Sequence, residues 1–216
     1  MFEKMFEKIK GYYFAFITLI AAGFGLFGSL FLYLPENPSF SMISNYISDL
    51  SGGPLGAKII WAIGIGFAGL FLMFLIIYIS NNLKQKKVSK NLVWIYLITG
   101  IIGAIGLILT GVFPLDPAMY FSYEVHRIGG ILFFSFSSIS FFCLGYIEYK
   151  DSIFSKVHSV LSLIIGLITA IFIIGFIIQE YSAVPRQPFV YLTEWLFFGV
   201  ITIWLILHGL SFRKKW

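Results

Sequence analysis

The chain has 216 residues, 59% of them hydrophobic and 12% charged, with a mean hydropathy of +0.91 and a formal net charge of +5. Soluble domains run at roughly 45–50% apolar and about 25% charged, so this composition excludes a soluble enzyme and indicates an integral membrane protein. The positive balance needs no nucleic-acid partner, because its distribution reads as a topology signal in contact with anionic lipid.

A bilayer core about 30 Å thick needs roughly 20 apolar residues per helix. Six runs meet that length, and none shows the period-two alternation of a barrel strand, so the expected fold is all-α. The N-terminal MFEKMFEK duplicates four residues and offers Met5 as an alternative start. The first span, Tyr12–Leu34, is longer than a signal-peptide core and has no A-x-A-like site, so it is read as a retained anchor. The loop from Pro35 to Gly56 follows. In it FSMISNYISDLSGGP pairs Ser44 with Ser48 and Asn45 with Asp49 at i, i+4, and predicts a short helix that lies at the interface or caps the bundle before Ser51-Gly52-Gly53-Pro54 ends it. The second span is Ala57–Ser80 and the third Leu92–Phe113.

GVFPLDPAMYFSYEVHRIGG, Gly111–Gly130, then places Asp116 and Glu124 in a loop, with His126 and Arg127 at the top of the fourth span, Ile128–Tyr146. The single cysteine, Cys143, lies in this apolar run and reads as a packing residue. The fifth span is Val157–Ile178 and the sixth Tyr191–Leu210, with Glu194 about one turn inside the sixth and Glu180 and Arg186 assigned to a local loop pair. His158 and His208 fall at the opposite end from His126 and read as interfacial residues. Trp61, Tyr191 and Trp195 are assigned to the outer aromatic belt, Trp94 and Trp216 to the inner one.

Twelve of the fifteen basic residues fall on one side of these spans, leaving only Lys58, Arg127 and Arg186 on the other. The positive-inside rule therefore puts both termini in the cytoplasm. All seven prolines fall on the outer side, including Pro35-Glu36-Asn37-Pro38, Pro114-Leu115-Asp116-Pro117 and Pro185-Arg186-Gln187-Pro188 at one spacing. Proline ends one helix and starts the next. The repetition is explained by three independent turns or, more sharply, by three related hairpins whose structured mouths converge. Small residues four apart, as at Ala21, Gly25 and Ser29, are read as helix packing.

Charge inside a membrane protein is costly, so the polar residues near the outer mouths need a reason. The functional reading brings Asp49, Asp116, His126 and Glu194, with Ser48 and Arg127, into one outer-leaflet cavity. His126 with Asp116 and Asp49 would form a catalytic set, His126 as general base or as ligand to a divalent metal, while Ser48, Arg127 and Glu194 would bind substrate. The alternative is that Arg127 and Arg186 pair with carboxylates to clamp loops. No H-E-x-x-H, G-x-S-x-G, P-loop or paired C-x-x-C occurs.

The motifs YISDLSGG at Tyr46–Gly53, GLILTGVFPLDP at Gly106–Pro117 and HRIGGILFF at His126–Phe134 resemble a family catalogued as domain of unknown function 998, prokaryotic six-helix membrane proteins. The resemblance covers most of the chain. It implies a Ser-Asp pair at Ser48 and Asp49, a Phe-Pro-x-Asp at Phe113, Pro114 and Asp116, and a histidine at His126. The family's closing Glu-Arg pair is absent, since Trp195 follows Glu194 and Tyr181 follows Glu180. The pattern is also loosely similar to eukaryotic membrane proteins that remodel lipid anchors.

The expectation is thus a single transmembrane helical-bundle domain over residues 1–216, with six helices and structured outer loops, in a prokaryotic plasma membrane. Its expected partners are membrane lipids, with no nucleic acid, and a second copy or another membrane protein as a further partner. The leading function is a polar site for lipid head groups. A small transporter or channel and a non-catalytic partner-binding subunit are the alternatives.

Overall fold

The computed structural model describes residues 9–86, 88–151, 154–182 and 187–215. Six long helices run through them: α1 Gly11–Tyr33, α2 Leu55–Lys84, α3 Lys90–Val112, α4 Tyr120–Asp151, α5 Lys156–Tyr181 and α6 Pro188–Lys215. All six are long and apolar enough to cross a membrane, and no strand occurs among the described residues. The protein is a polytopic, all-helical membrane protein.

The helices exceed the apolar runs that announce them. α4 starts at Tyr120 rather than Ile128, because Asp116 turns the chain locally: its Oδ1 accepts the Ala118 N–H, and its carbonyl accepts the Met119 N–H just before the helix. Glu124, expected in a loop, is therefore helical. So is Glu180, since α5 continues to Tyr181. Pro188 opens α6 at its first position, where a missing N–H costs nothing. Pro185 and Arg186 lie outside the described residues.

Each helix packs on its sequence neighbours, and α6 closes against α1, so the bundle is a ring. α2 meets α3, and α4 meets α5, nearly as closely as the helices within the first two hairpins meet and more closely than α5 meets α6, which leaves no division into three separate hairpins. Burying apolar area drives little association between helices in lipid, so small residues let backbones approach instead. On α1, Gly25 lies against the backbone of Gly64 on α2; Gly106 of α3 lies against Gly129 and Phe133 of α4. The outward faces carry Ile20, Phe24, Phe27 and Phe31 on α1 and Ile59, Ile63 and Phe67 on α2, all exposed, as lipid contact requires.

At the proline-bearing end the expected short helix is present as a 3-10 turn, Ile47–Gly52, with Gly53 as its C-cap. It caps the bundle. Ile47 and Leu50 are buried with Leu26, Trp61 and Ile65, while Met42 and Ile43, expected to supply contacts, stay exposed. Trp61 and Tyr191 are buried rather than in an aromatic belt; Trp61 donates to the Thr110 carbonyl at 3.0 Å. Trp94 does sit half exposed at the lysine-bearing end, under the Lys84 ammonium. Trp216 is outside the described residues.

A side chain at position 64 has backbone of Gly25 and Ala21 in its path, whereas Gly199 faces open space. Gly64→Leu is expected to lower the unfolding free energy in detergent by about 1–3 kcal/mol, the usual cost of overpacking. Gly199→Leu is expected to change it by less than about 0.5 kcal/mol. Thermal melts of the two variants check this, and equal midpoints would show that the α1–α2 approach is not held by glycine.

Candidate functional site

The segment that joins α3 to α4 is built around one carbonyl. α3 ends at Val112, and Phe113 turns extended ahead of Pro114. Its oxygen accepts a 2.7 Å hydrogen bond from the ring of His126, one and a half turns into α4. A carbonyl only accepts, so His126 Nδ1 carries the hydrogen, and in the neutral ring Nε2 is left as a bare acceptor. Nε2 is buried and has no hydrogen-bond partner among the described residues; the whole side chain is 3% exposed. Ser122 donates to the Pro114 carbonyl at 2.9 Å and Ser51 accepts the Leu115 N–H at 2.9 Å, so the proline segment is pinned to both α4 and the 3-10 turn.

The 3-10 turn is fixed in the same manner, by side chains reaching orphan backbone donors. Asp49 Oδ2 accepts the Tyr46 N–H at 3.0 Å and the Asn45 amide at 3.2 Å. Glu194, from α6, accepts the Ile47 N–H at 2.6 Å and also interacts with the Ser48 N–H and hydroxyl. Trp195 Nε1 donates to the Asn45 carbonyl at 3.1 Å, and the Tyr46 hydroxyl to Gln179 at 2.9 Å. A carboxylate in α6 thus serves as a helix cap for a turn almost 150 residues earlier in the chain.

Between these pieces lies a cavity of about 430 Å³. Ser48, Asp49, His126, Arg127, Glu180 and Glu194 line it together with Tyr33, Tyr46 and Tyr123. So do Phe133, Phe134, Phe172, Phe176, Phe197 and Phe198. At about 1.5 Å of rise per residue, Phe133 and Phe134 sit roughly 10 Å deeper along α4 than His126. The cavity is therefore polar toward the proline-bearing end and aromatic toward the middle of the bundle. Phe134 packs on Phe172 at 4.1 Å and on Phe197 at 5.4 Å between ring centroids, which closes the deep end.

Five of the six expected site residues, Ser48, Asp49, His126, Arg127 and Glu194, thus share one cavity. Asp116 does not: its neighbours Leu115 and Pro117 line the cavity, but its own carboxylate is paired with Lys58 at the head of α2, and it does not orient His126, a task the Phe113 carbonyl performs. Arg127 is both a lining residue and a clamp. Its Nη1 meets Glu124 at 3.0 Å and its Nη2 meets Glu180 at 3.3 Å, bridging α4 to α5. The expected partner of Glu180, Arg186, lies outside the described residues; among them Arg127 pairs with it. No group of three or more His, Cys, Asp or Glu among the described residues is arranged to hold a metal ion, so the divalent-metal expectation gains nothing.

A second polar cluster, at the lysine-bearing end, escaped the sequence reading. Glu148 and His208 are fully buried and 2.7 Å apart. Ser162 donates to the other Glu148 oxygen at 2.8 Å and accepts from Trp204 Nε1 at 2.9 Å. His208 Nδ1 is held by the Trp204 carbonyl at 3.0 Å, and His158, also buried, bonds Ser155 and Ser211. Neither histidine is interfacial. The signal was available: Ser155, Ser159, Ser162, Gly166 and Thr169 fall at helical spacing and form a small polar stripe on α5. Its members satisfy one another and tie α4, α5 and α6 together, a structural network.

A family model described as "Protein of unknown function (DUF998)" matches residues 15–211. No curated protein and no solved structure matches the chain.

The Lys58 ammonium, hydrogen-bonded to the Asp116 carboxylate, and the Ala118 N–H hold that carboxyl below the ordinary aspartate value. A depressed folded value means that the pair's contribution is complete above the unfolded value of about 3.9 and is lost as pH falls through the lower folded one. Detergent melts taken from about pH 7 down to about pH 3 are expected to show a shallower acid decline in Asp116→Asn than in the parent. Superimposable declines would mean that the pair contributes nothing to stability.

Proposed function

The chain belongs to the DUF998 family, whose description assigns no activity, and from the site we propose that it binds a membrane amphiphile, polar head at His126 and apolar chain among the phenylalanines. The observation that carries this reading is the buried, unpartnered Nε2 of His126 on a cavity that grades from polar to aromatic. Buried polar atoms are satisfied as a rule, and one left unsatisfied on a residue that lines a cavity is an invitation to a ligand that donates. A free water-soluble solute has no use for six phenylalanine rings. A lipid has. The positive-inside rule supports a cytoplasmic lysine-rich end, and with it a cavity in the outer leaflet.

His126 in this tautomer accepts a proton or a hydrogen bond at Nε2 and cannot donate there, so its role toward a head group is that of acceptor or general base. The Asp116 carboxylate expected beside His126 is absent from the cavity lining, which favours holding a head group over cleaving one. Passage through the membrane finds no support in the spans: between Arg127 and Glu148, between His158 and Glu180, and between Glu194 and His208 the chain has no Asp, Glu, His, Lys or Arg.

Native mass spectrometry of protein released from mild detergent is expected to show a retained lipid mass. His126→Ala should reduce its occupancy about tenfold, the scale of one lost hydrogen bond to a buried group, with helix content unchanged. Gly130 lines the cavity and has room for a Cβ, with Thr110 Cγ2 3.9 Å away, so Gly130→Leu should fill the space and expel the lipid. A bare protein mass, or a lipid mass indifferent to both substitutions, overturns the reading.

A further inference from the structure

Resting on the amphiphile reading, we infer that the head group carries a primary ammonium. The reason lies in which donors and acceptors the cavity leaves for a guest. His126 Nε2 only accepts, and it is fixed so by the Phe113 carbonyl on the other side of the ring. Among the described residues the cavity is lined by three carboxylates, Asp49, Glu180 and Glu194, against one guanidinium, Arg127. Asp49 and Glu194 are engaged by N–H groups at the 3-10 turn and Glu180 by Arg127, contacts of which only the last brings a positive charge. Arg127 is moreover shared with Glu124 outside the lining. Three tyrosine rings, Tyr33, Tyr46 and Tyr123, add faces of negative potential.

An ammonium has three N–H donors and no acceptor, so it matches this inventory in both charge and hydrogen bonding. A head that ends in phosphate brings only acceptors; it would leave Nε2 unpaired and stand beside carboxylates. A quaternary ammonium has the charge but no N–H to give. A polyol has donors but no charge to set against Asp49 and Glu180. The phosphodiester that commonly joins an amino alcohol to glycerol would need one donor, and Arg127 Nε is buried without a partner in the same wall. The carrier is taken to be a lipid rather than a free amine because the deep half of the cavity is phenylalanine.

The test uses the full chain reconstituted in vesicles with equal amounts of phosphatidylethanolamine, phosphatidylcholine and phosphatidylglycerol of matched chains, re-extracted in mild detergent and read by native mass spectrometry. The expected result is an adduct of the ethanolamine lipid at least about tenfold over the other two. His126→Leu should abolish that preference, and His126→Gln, which keeps an acceptor, should restore part of it. Equal retention of the three lipids, all expelled by Gly130→Leu, would overturn the ammonium inference and leave the amphiphile reading standing; so would preference for the glycerol lipid. Retention of none, or retention that Gly130→Leu does not touch, would overturn both.

Discussion

A helix that stops inside or beside a membrane leaves carbonyl oxygens that no water can reach, and the protein must answer each of them. At the end of α3 the answer is His126. Its Nδ1 takes the Phe113 oxygen at 2.7 Å, and that one bond settles three matters together. It docks the start of α4 on the end of α3 across the proline segment. It fixes the tautomer of the ring. It leaves Nε2 buried and without a hydrogen-bond partner among the described residues. The same side chain is thus a structural answer on one nitrogen and a functional question on the other.

The rest of the proline-bearing end follows the same economy. Buried carboxylates in membrane interiors are costly unless hydrogen-bonded, and here they are spent on backbone donors that would otherwise be orphaned. Glu194 caps a turn from the far end of the chain, Asp49 caps the same turn from within, and Ser51 satisfies the proline segment. Because Glu194 comes from α6 while Asp49 and Ser51 belong to the turn itself, the turn beside the cavity is tied to α6 and, through Leu115, to the segment between α3 and α4. The cavity is therefore a preformed feature of the bundle and requires no separate loop to close it.

How much of this was legible in the sequence depended on the kind of signal. Hydropathy gave six spans, since a bilayer imposes length on every crossing helix. Proline spacing marked the mouths, and polar residues near them marked Ser48, Asp49, His126, Arg127 and Glu194, because unneeded charge there is expensive. The same reasoning over-reached at Asp116. Its partner, Lys58, is 58 residues away in the chain, and nothing local distinguishes a carboxylate that faces a cavity from one that faces a lysine. It under-reached at Glu148 and His208, where sorting residues by side put both at the edges of spans. The helices run several residues beyond their apolar cores, and the α5 stripe of serines buries what lies opposite it. Burial of a polar group is decided by its neighbour helix, which periodicity within one helix does not reveal.

The account stands or falls on what occupies the cavity beside His126. The most direct measurement is a cryo-electron microscopy map of the protein in lipid nanodiscs, at a resolution that separates head group from chain. The account predicts density extending from His126 Nε2 toward Phe134 and Phe172, with its head within hydrogen-bonding distance of that nitrogen. A cavity collapsed by its own side chains, or filled by ordered water alone with Nε2 bonded to protein, would contradict it.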